Sequence, residues 1–229
     1  MATIAFVIPA LNEAAQIEHV IATIPRLHLE AGGHEVQIMV VDGHSTDGTL
    51  EIAQRAGARV LRQSGRGKGQ AIREAFHRIR SDYVFVLDGD GTYPGSAAPS
   101  FLDSLEAGAD IVMGRRVWLS TGQNGWIQLI GNQFLTRSAN ILFGTQVRDL
   151  CTGMWAFQGH VTRDLVLRAN GFDIEANILA WCARTGYEIQ EVPIPYVPRD
   201  SGSKLRPVRD GTRIFARLLI EAIRDRSHT

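Results

Sequence analysis

Tyr83-Val84-Phe85-Val86-Leu87-Asp88-Gly89-Asp90 runs five apolar residues without a break and then presents two carboxylates separated by one glycine. A strand with one wet face alternates; one that is apolar throughout is buried on both faces, as in a parallel sheet with helices on each side. Working outward, Ile4–Ile8, Val36–Val41, Ala58–Arg62 and Ala109–Met113 read as further strands, with helical patterns near Glu13–Glu30, Gly48–Ala56 and Lys68–Ile79 between them. That alternation predicts an α/β domain with a mostly parallel sheet. Beyond Met113 the order loosens into a polar loop at Leu119–Asn124, a helix near Trp126–Phe143 and a glycine-containing segment. A helix near Glu175–Thr185, two strand-like pieces around Glu188–Pro198 and a last helix, Pro207–Arg226, follow. No repeat, low-complexity tract or linker interrupts the chain, so a single domain is expected over residues 1–229.

The 229 residues carry 24 Lys plus Arg against 24 Asp plus Glu, so no global field recommends nucleic acid as a partner. Two cysteines, Cys151 and Cys182, are too few for a disulfide framework or a zinc site, and read as reduced, buried thiols. Met1–Pro9 lacks a basic region before its apolar run and reads as a strand rather than a signal peptide. No stretch approaches the ~20 apolar residues needed to cross a bilayer. A cytoplasmic chain is expected, with any membrane contact peripheral on the cytoplasmic face.

Ligands of open parallel sheets bind beyond the carboxyl ends of the strands, and four such ends carry unusual polar residues. They are Pro9-Ala10-Leu11-Asn12-Glu13, Asp42-Gly43-His44-Ser45-Thr46-Asp47-Gly48, Gly65-Arg66-Gly67-Lys68-Gly69 and Asp88-Gly89-Asp90-Gly91. Asn12, or Ser45 to Asp47, taken singly read as ordinary helix caps. Gly67-Lys68-Gly69 is a weak phosphate signal without the spacing of a Walker loop. Asp88 and Asp90 are harder to dismiss: two adjacent carboxylates repel, and a hard cation such as Mg²⁺ or Mn²⁺, which takes one or two carboxylates plus phosphate oxygens, relieves them.

Taken in order, Val40-Val41-Asp42-Gly43-His44-Ser45-Thr46-Asp47-Gly48-Thr49, the preceding Pro9-x-x-Asn12-Glu13, and the following Gly67-Lys68-Gly69 and Asp88-x-Asp90 resemble glycosyltransferase family 2. The similarity is greatest to the polyprenyl (dolichyl) phosphate mannosyl and glucosyl synthases. It continues through Gly114-Arg115-Arg116, Asp149-Leu150-Cys151-Thr152-Gly153 and Arg199-Asp200-Ser201-Gly202-Ser203-Lys204. The resemblance implies a GT-A fold, Rossmann-like with helices on both faces. Residues 1–115 would form a nucleotide-sugar-binding half, 116–205 an acceptor-side half, and 206–229 an amphipathic basic helix. It implies that Pro9, Asn12, Glu13, Asp42, Lys68 and Asp88 hold the nucleotide, with Asp42 accepting from a base N–H. Asp88 and Asp90 would hold Mg²⁺ or Mn²⁺, and Arg115, Arg199, Ser203 and Lys204 would meet acceptor phosphate. The sequence departs from the family pattern where Gly43-His44 replaces Asp-Gly, where Thr92 stands for a glutamine, and in an Arg199–Lys204 loop one residue short.

The activity so implied is an inverting, metal-dependent transfer of a hexose from GDP-mannose or UDP-glucose to a polyprenyl or dolichyl phosphate. A phosphate monoester, with a second pKa near ~6, is already anionic at neutral pH and needs cationic positioning more than a base. A hydroxyl acceptor would need a carboxylate base, for which Asp149 and Glu175 are the candidates. In the last helix Ile214, Phe215, Leu218, Leu219 and Ile223 interleave with Arg206, Arg209, Arg213, Arg217 and Arg224. That pattern fits a membrane surface or a helix docked on the core with a solvated basic face. A soluble hydroxyl acceptor, a separate membrane-anchor subunit and a non-catalytic nucleotide-binding subunit are the alternatives. A nucleotidyltransferase is disfavoured because no glycine-rich basic loop follows the first strand.

Overall fold

The computed structural model describes residues 1–118, 125–196 and 206–226. Its centre is a seven-stranded sheet of β1 (Thr3–Ala10), β2 (Glu35–Asp42), β3 (Arg59–Arg62), β4 (Tyr83–Leu87), β5 (Ile111–Trp118), β6 (Met154–Gln158) and β7 (Ile189–Tyr196), in the order β3-β2-β1-β4-β6-β5-β7. All neighbouring pairs are parallel except those made by β6, which runs antiparallel to β4 and β5. This is the single-domain, mostly parallel α/β fold of GT-A type.

Alternation along the strands divides the core in two. Ala5 and Val7 of β1 and Val84 and Val86 of β4 face one layer, built by α4 (Lys68–Arg78), α6 (Gly125–Phe143), α7 (Gly159–Asp164), α8 (Ile174–Thr185) and α9 (Pro207–Arg226). Ile4, Phe6, Ile8, Phe85 and Leu87 face the other, built by α1 (Ile17–Thr23), α2 (Arg26–Ala31), α3 (Thr49–Arg55) and α5 (Ala98–Glu106). Helix α4 shows why such segments coil: Ala71, Ile72, Ala75 and Phe76 recur at helical spacing and are all buried.

Four elements differ from the sequence expectation. The helix expected over Glu13–Glu30 is two helices, because Pro25 lacks an N–H and drives Ile24 into extended backbone. The two strand-like pieces near Glu188–Pro198 are the one strand β7. It tolerates Pro193 and Pro195 because it lies at the sheet edge and pairs only with β5. Strand β6, between Gly153 and Gly159, and helix α5, between Pro94-Gly95 and Gly108, lie outside the expected elements, because periodicity alone leaves the type of so short a segment open.

Parallel pairing brings the carboxyl ends together. The register sets Ala10 beside Asp42 and Asp42 beside Arg62, while β4 pairs with β1 through Val7 and Val86. The loops after β1, β2, β3 and β4 therefore open on one edge.

Candidate active site

A cavity of about 960 Å³ lies along that edge. Pro9, Asn12, Glu13, Lys68, Asp88 and Asp90, six of the residues singled out in the sequence, line it.

The loop after β1 is tied to the loop after β2. Asn12 adopts a left-handed φ of 51° and its Oδ1 accepts the Thr46 N–H at 2.9 Å, while the Asn12 N–H donates to Ser45 Oγ at 2.9 Å. The Glu13 N–H donates to Thr49 Oγ1 at 2.8 Å and the Ala14 N–H to Asp47 Oδ2 at 3.0 Å. Ser45 and Asp47 thus hold two loops together, and Asp47 Oδ1 also accepts the N–H of Thr49, the first residue of α3, at 3.1 Å.

Lys68 reaches the cavity floor from the first position of α4, where its Nζ lies 2.6 Å from Asp88 Oδ1 and 2.6 Å from Glu175 Oε1. The glycines around it serve close approach. A Cβ at Gly67 or Gly69 would collide with the carbonyl oxygen of Asn170 or Ala169, and the Gly69 N–H donates to Asn170 O at 3.0 Å. The weak phosphate signal of Gly67-Lys68-Gly69 is thus a helix start packed on the 169–170 backbone, and what it delivers is the Lys68 ammonium. Burial lowers a lysine, but Asp88 and Glu175 outweigh it and hold Lys68 above its ordinary range. Burial pushes the Asp88 carboxyl up to about 6 against the pull of Lys68, with Asp90 and Glu175 adding to the rise. Asp90 is oriented by Thr92, whose N–H and Oγ1 donate to Oδ1 at 3.1 and 2.6 Å.

Three candidates stand off the cavity. Asp42 is fully buried; its oxygens accept the Ser45 N–H at 3.2 Å and face Arg62 Nε at 3.5 Å, so its acceptors are turned inward. Arg115 is half-buried and does not line the cavity, whereas Arg116 does, because successive residues of a strand point to opposite faces. Asp149, considered as a base, grips Arg116 through Nε at 2.8 Å and Nη2 at 2.7 Å, and also accepts from Asn132 Nδ2 at 2.9 Å. A carboxylate so engaged orients a guanidinium. Arg199, Ser203 and Lys204 lie outside the described residues.

Several lining residues had escaped the sequence reading. Arg116 lies 5.1 Å from the Tyr196 ring centroid, which packs on Tyr93. Asn132 and Thr136, one turn apart on α6, brace the Asp149 loop: Asn132 Oδ1 accepts from the Cys151 N–H at 3.1 Å and Thr136 Oγ1 from the Leu150 N–H at 3.0 Å. That polar pair in an apolar helix was a usable signal. Gln63, buried at the end of β3, carried none. The Cys151 thiol also faces the cavity, and burial pushes it up to about 12, so it stays an inert thiol. Away from the strand ends the cavity turns apolar, along Ile127, Phe134 and Leu135 of α6 and Ile214, Phe215 and Leu219 of α9.

Helix α9 is docked on the core, the second of the two sequence expectations. Ile214 and Leu218 are core residues and the buried Glu221 pairs with Arg184, Arg217 and Arg224, while Val208, Ile220 and Ile223 are exposed. Among the described residues, no helix is long and apolar enough to cross a membrane.

The sequence model of glycosyl transferase family 2 matches residues 5–165. The chain belongs to glycosyltransferase family 2. This family 2 enzyme is 40% identical over 214 residues to glycosyltransferase AglJ of Haloferax volcanii, covering 92% of this chain and 69% of that one. It is 35% identical over 211 residues to a dolichyl-phosphate hexose transferase of the same organism, covering 92% of this chain and 90% of that one. Among solved structures it is similar to glucosyl-3-phosphoglycerate synthase of Mycobacterium tuberculosis, in complex with Mn²⁺, UDP and glucosyl-3-phosphoglycerate. The TM-score is 0.76 at 23% identity, over 96% of this chain and 80% of that one. At that identity the likeness concerns the fold.

Proposed function

We propose that this family 2 glycosyltransferase moves a hexose from UDP-glucose or GDP-mannose to a polyprenyl phosphate, with inversion at the anomeric carbon. The observation that carries the reading is the continuity of one cavity from Asp88 and Asp90 to the apolar slope of α6 and α9. The first end suits a sugar diphosphate and the second an isoprenoid tail. The name of the 35%-identical dolichyl-phosphate hexose transferase supports the same acceptor class.

Pro9, Asn12 and Glu13 bind the nucleotide, and Lys68 lies where charge gathers on the diphosphate. Asp88 and Asp90 both line the cavity, and the described residues hold no cluster of three acidic, histidine or cysteine ligands. That donor set fits Mg²⁺ or Mn²⁺, which fill the remaining positions with phosphate oxygens and water. When bound, the cation supplies Lewis-acid neutralisation of the departing nucleoside diphosphate. Arg116, clamped by Asp149, takes the phosphate contact expected of Arg115, and Arg199, Ser203 and Lys204 remain proposed partners of the acceptor. The acceptor's anionic oxygen forms the new bond to the anomeric carbon as the bond to the diphosphate breaks, so no base is needed. Exposed Trp126 and Ile130 of α6 and Ile220 and Ile223 of α9 meet the lipid surface from which such an acceptor is drawn.

A soluble acceptor is the second reading, favoured by the solved structure in complex with glucosyl-3-phosphoglycerate. The experiment supplies ¹⁴C-labelled UDP-glucose or GDP-mannose and Mn²⁺ with either a polyprenyl phosphate or 3-phosphoglycerate, then extracts with organic solvent. Label in the organic phase is the expected result. Label confined to the aqueous phase with phosphoglycerate overturns the lipid acceptor, and release of no label from either donor overturns the transferase reading.

A further inference from the structure

Gln63 follows directly on β3, and its N–H donates to Asp42 O at 3.0 Å, which continues the β2–β3 pairing by one residue. The side chain lines the active-site cavity, yet the residue is only 3% exposed, and its Oε1 has no hydrogen-bond partner among the described residues. A buried amide oxygen without a donor is costly unless something donates to it, and that cost recommends a ligand group.

Two further observations fix what kind of group. The first is space. Gly43 and Leu11 line the cavity beside Gln63, and with no side chain at Gly43 only its backbone neighbours the Gln63 amide on that side, where a Cβ would lie 3.5 Å from Nε2. The second is distance along the edge. In the order β3-β2-β1-β4, Gln63 and Asp88 are three strand spacings apart, or ~14 Å at the usual interval. With the diphosphate at Asp88, that span places the base, not the ribose, at Gln63. The carboxylate that could compete for the base, Asp42, is occupied by Ser45 and Arg62 and stands off the cavity.

We infer that Gln63 is the base-reading residue, pairing with the adjacent N–H and C=O of a lactam edge. The inference rests on the nucleotide-sugar reading above. A glutamine presents one acceptor and one donor side by side, whereas a carboxylate presents acceptors alone. The amide therefore takes the N3–H of uracil, or the N1–H of guanine, on Oε1 and returns an Nε2–H to the neighbouring carbonyl. Uracil and guanine share this edge, and they separate on the next atom: guanine adds a second donor where uracil has a carbonyl.

The test is calorimetric titration of the full chain in Mn²⁺ with UDP, GDP and inorganic pyrophosphate, comparing wild type with Gln63→Leu and Gln63→Glu. Gln63→Leu is expected to weaken the nucleotide that wild type binds by about tenfold or more and to leave pyrophosphate binding unchanged. Gln63→Glu is expected to weaken UDP as strongly as Gln63→Leu, but GDP by much less, because two guanine donors can face two carboxylate oxygens. That pair of responses tells which base is read. Unchanged nucleotide binding in Gln63→Leu overturns the inference and leaves the transferase reading standing. Equal losses of nucleotide and pyrophosphate also overturn it, since they mark a structural role for Gln63. Wild-type chain that binds neither nucleotide overturns the nucleotide-sugar reading and this inference with it.

Discussion

Gly153 lacks a side chain where Asp88 needs the room: a Cβ built on Gly153 would fall inside the contact radius of Asp88 Oδ2 and also crowd the Tyr93 ring. The Asp88 N–H in turn donates to the Gly153 carbonyl at 3.2 Å. The glycine of the 149–153 motif is thus a shaped gap for a carboxylate on another strand. Gly153→Ala is expected to displace that carboxylate, lowering stability by about 1–3 kcal/mol. Transferase activity should fall well beyond what the folded fraction explains. Full activity in a folded Gly153→Ala chain, judged by circular dichroism, would show that Asp88 needs no such gap.

Asp90→Ala removes a carboxylate whose partner in the fold is Thr92. Its thermal midpoint should therefore stay close to wild type, while Mn²⁺-dependent turnover drops by on the order of 10²-fold or more. Retained metal-dependent turnover would sink the metal assignment.

Asp149 and Arg116 distinguish positioning from base chemistry. If Asp149 orients Arg116, Asp149→Asn should raise the acceptor KM by about tenfold, keep much of kcat, and leave the acid limb of the pH–rate profile in place. Loss of kcat together with that limb would mean Asp149 takes a proton.

Glu74 on α4 gives a pH prediction away from the site. Burial raises its pKa, but donation from Ser64 Oγ and Gln70, and from the backbone N–H groups of Ser64 and Gly65, outweighs burial and brings it from 4.5 to about 2. A carboxyl depressed by folding contributes stability that is present above its unfolded pKa and lost as pH falls through the folded one. About 3 kcal/mol should therefore disappear between pH ~4.5 and ~2. Glu74→Gln should be less stable than wild type at pH 7 and equal to it at pH ~2 in urea titrations.

The outer face of α9 is tested by Ile223→Asp, at a position 70% exposed. Co-flotation with vesicles containing anionic lipid should weaken several-fold at an unchanged melting temperature. Equal flotation of both chains would free this face of any lipid role.

The sequence by itself determined strands β1 to β4, the sheet edge on which their loops open, and the place of Pro9, Asn12, Glu13, Lys68, Asp88 and Asp90 along the cavity there. Those follow from short-range rules: apolar runs make buried strands, and ligands gather at their carboxyl ends. Only tertiary structure decided between Arg115 and Arg116, because a strand's facing depends on its register with β6 and β7 and one residue reverses it. It also decided that Asp149 binds an arginine, that Asp42 turns inward, and that Gly67, Gly69 and Gly153 are spaces for groups 65 to 103 residues away in the chain. Contacts of that kind form between segments with no local signal of one another, so charge and burial at each position are set by the fold that brings them together.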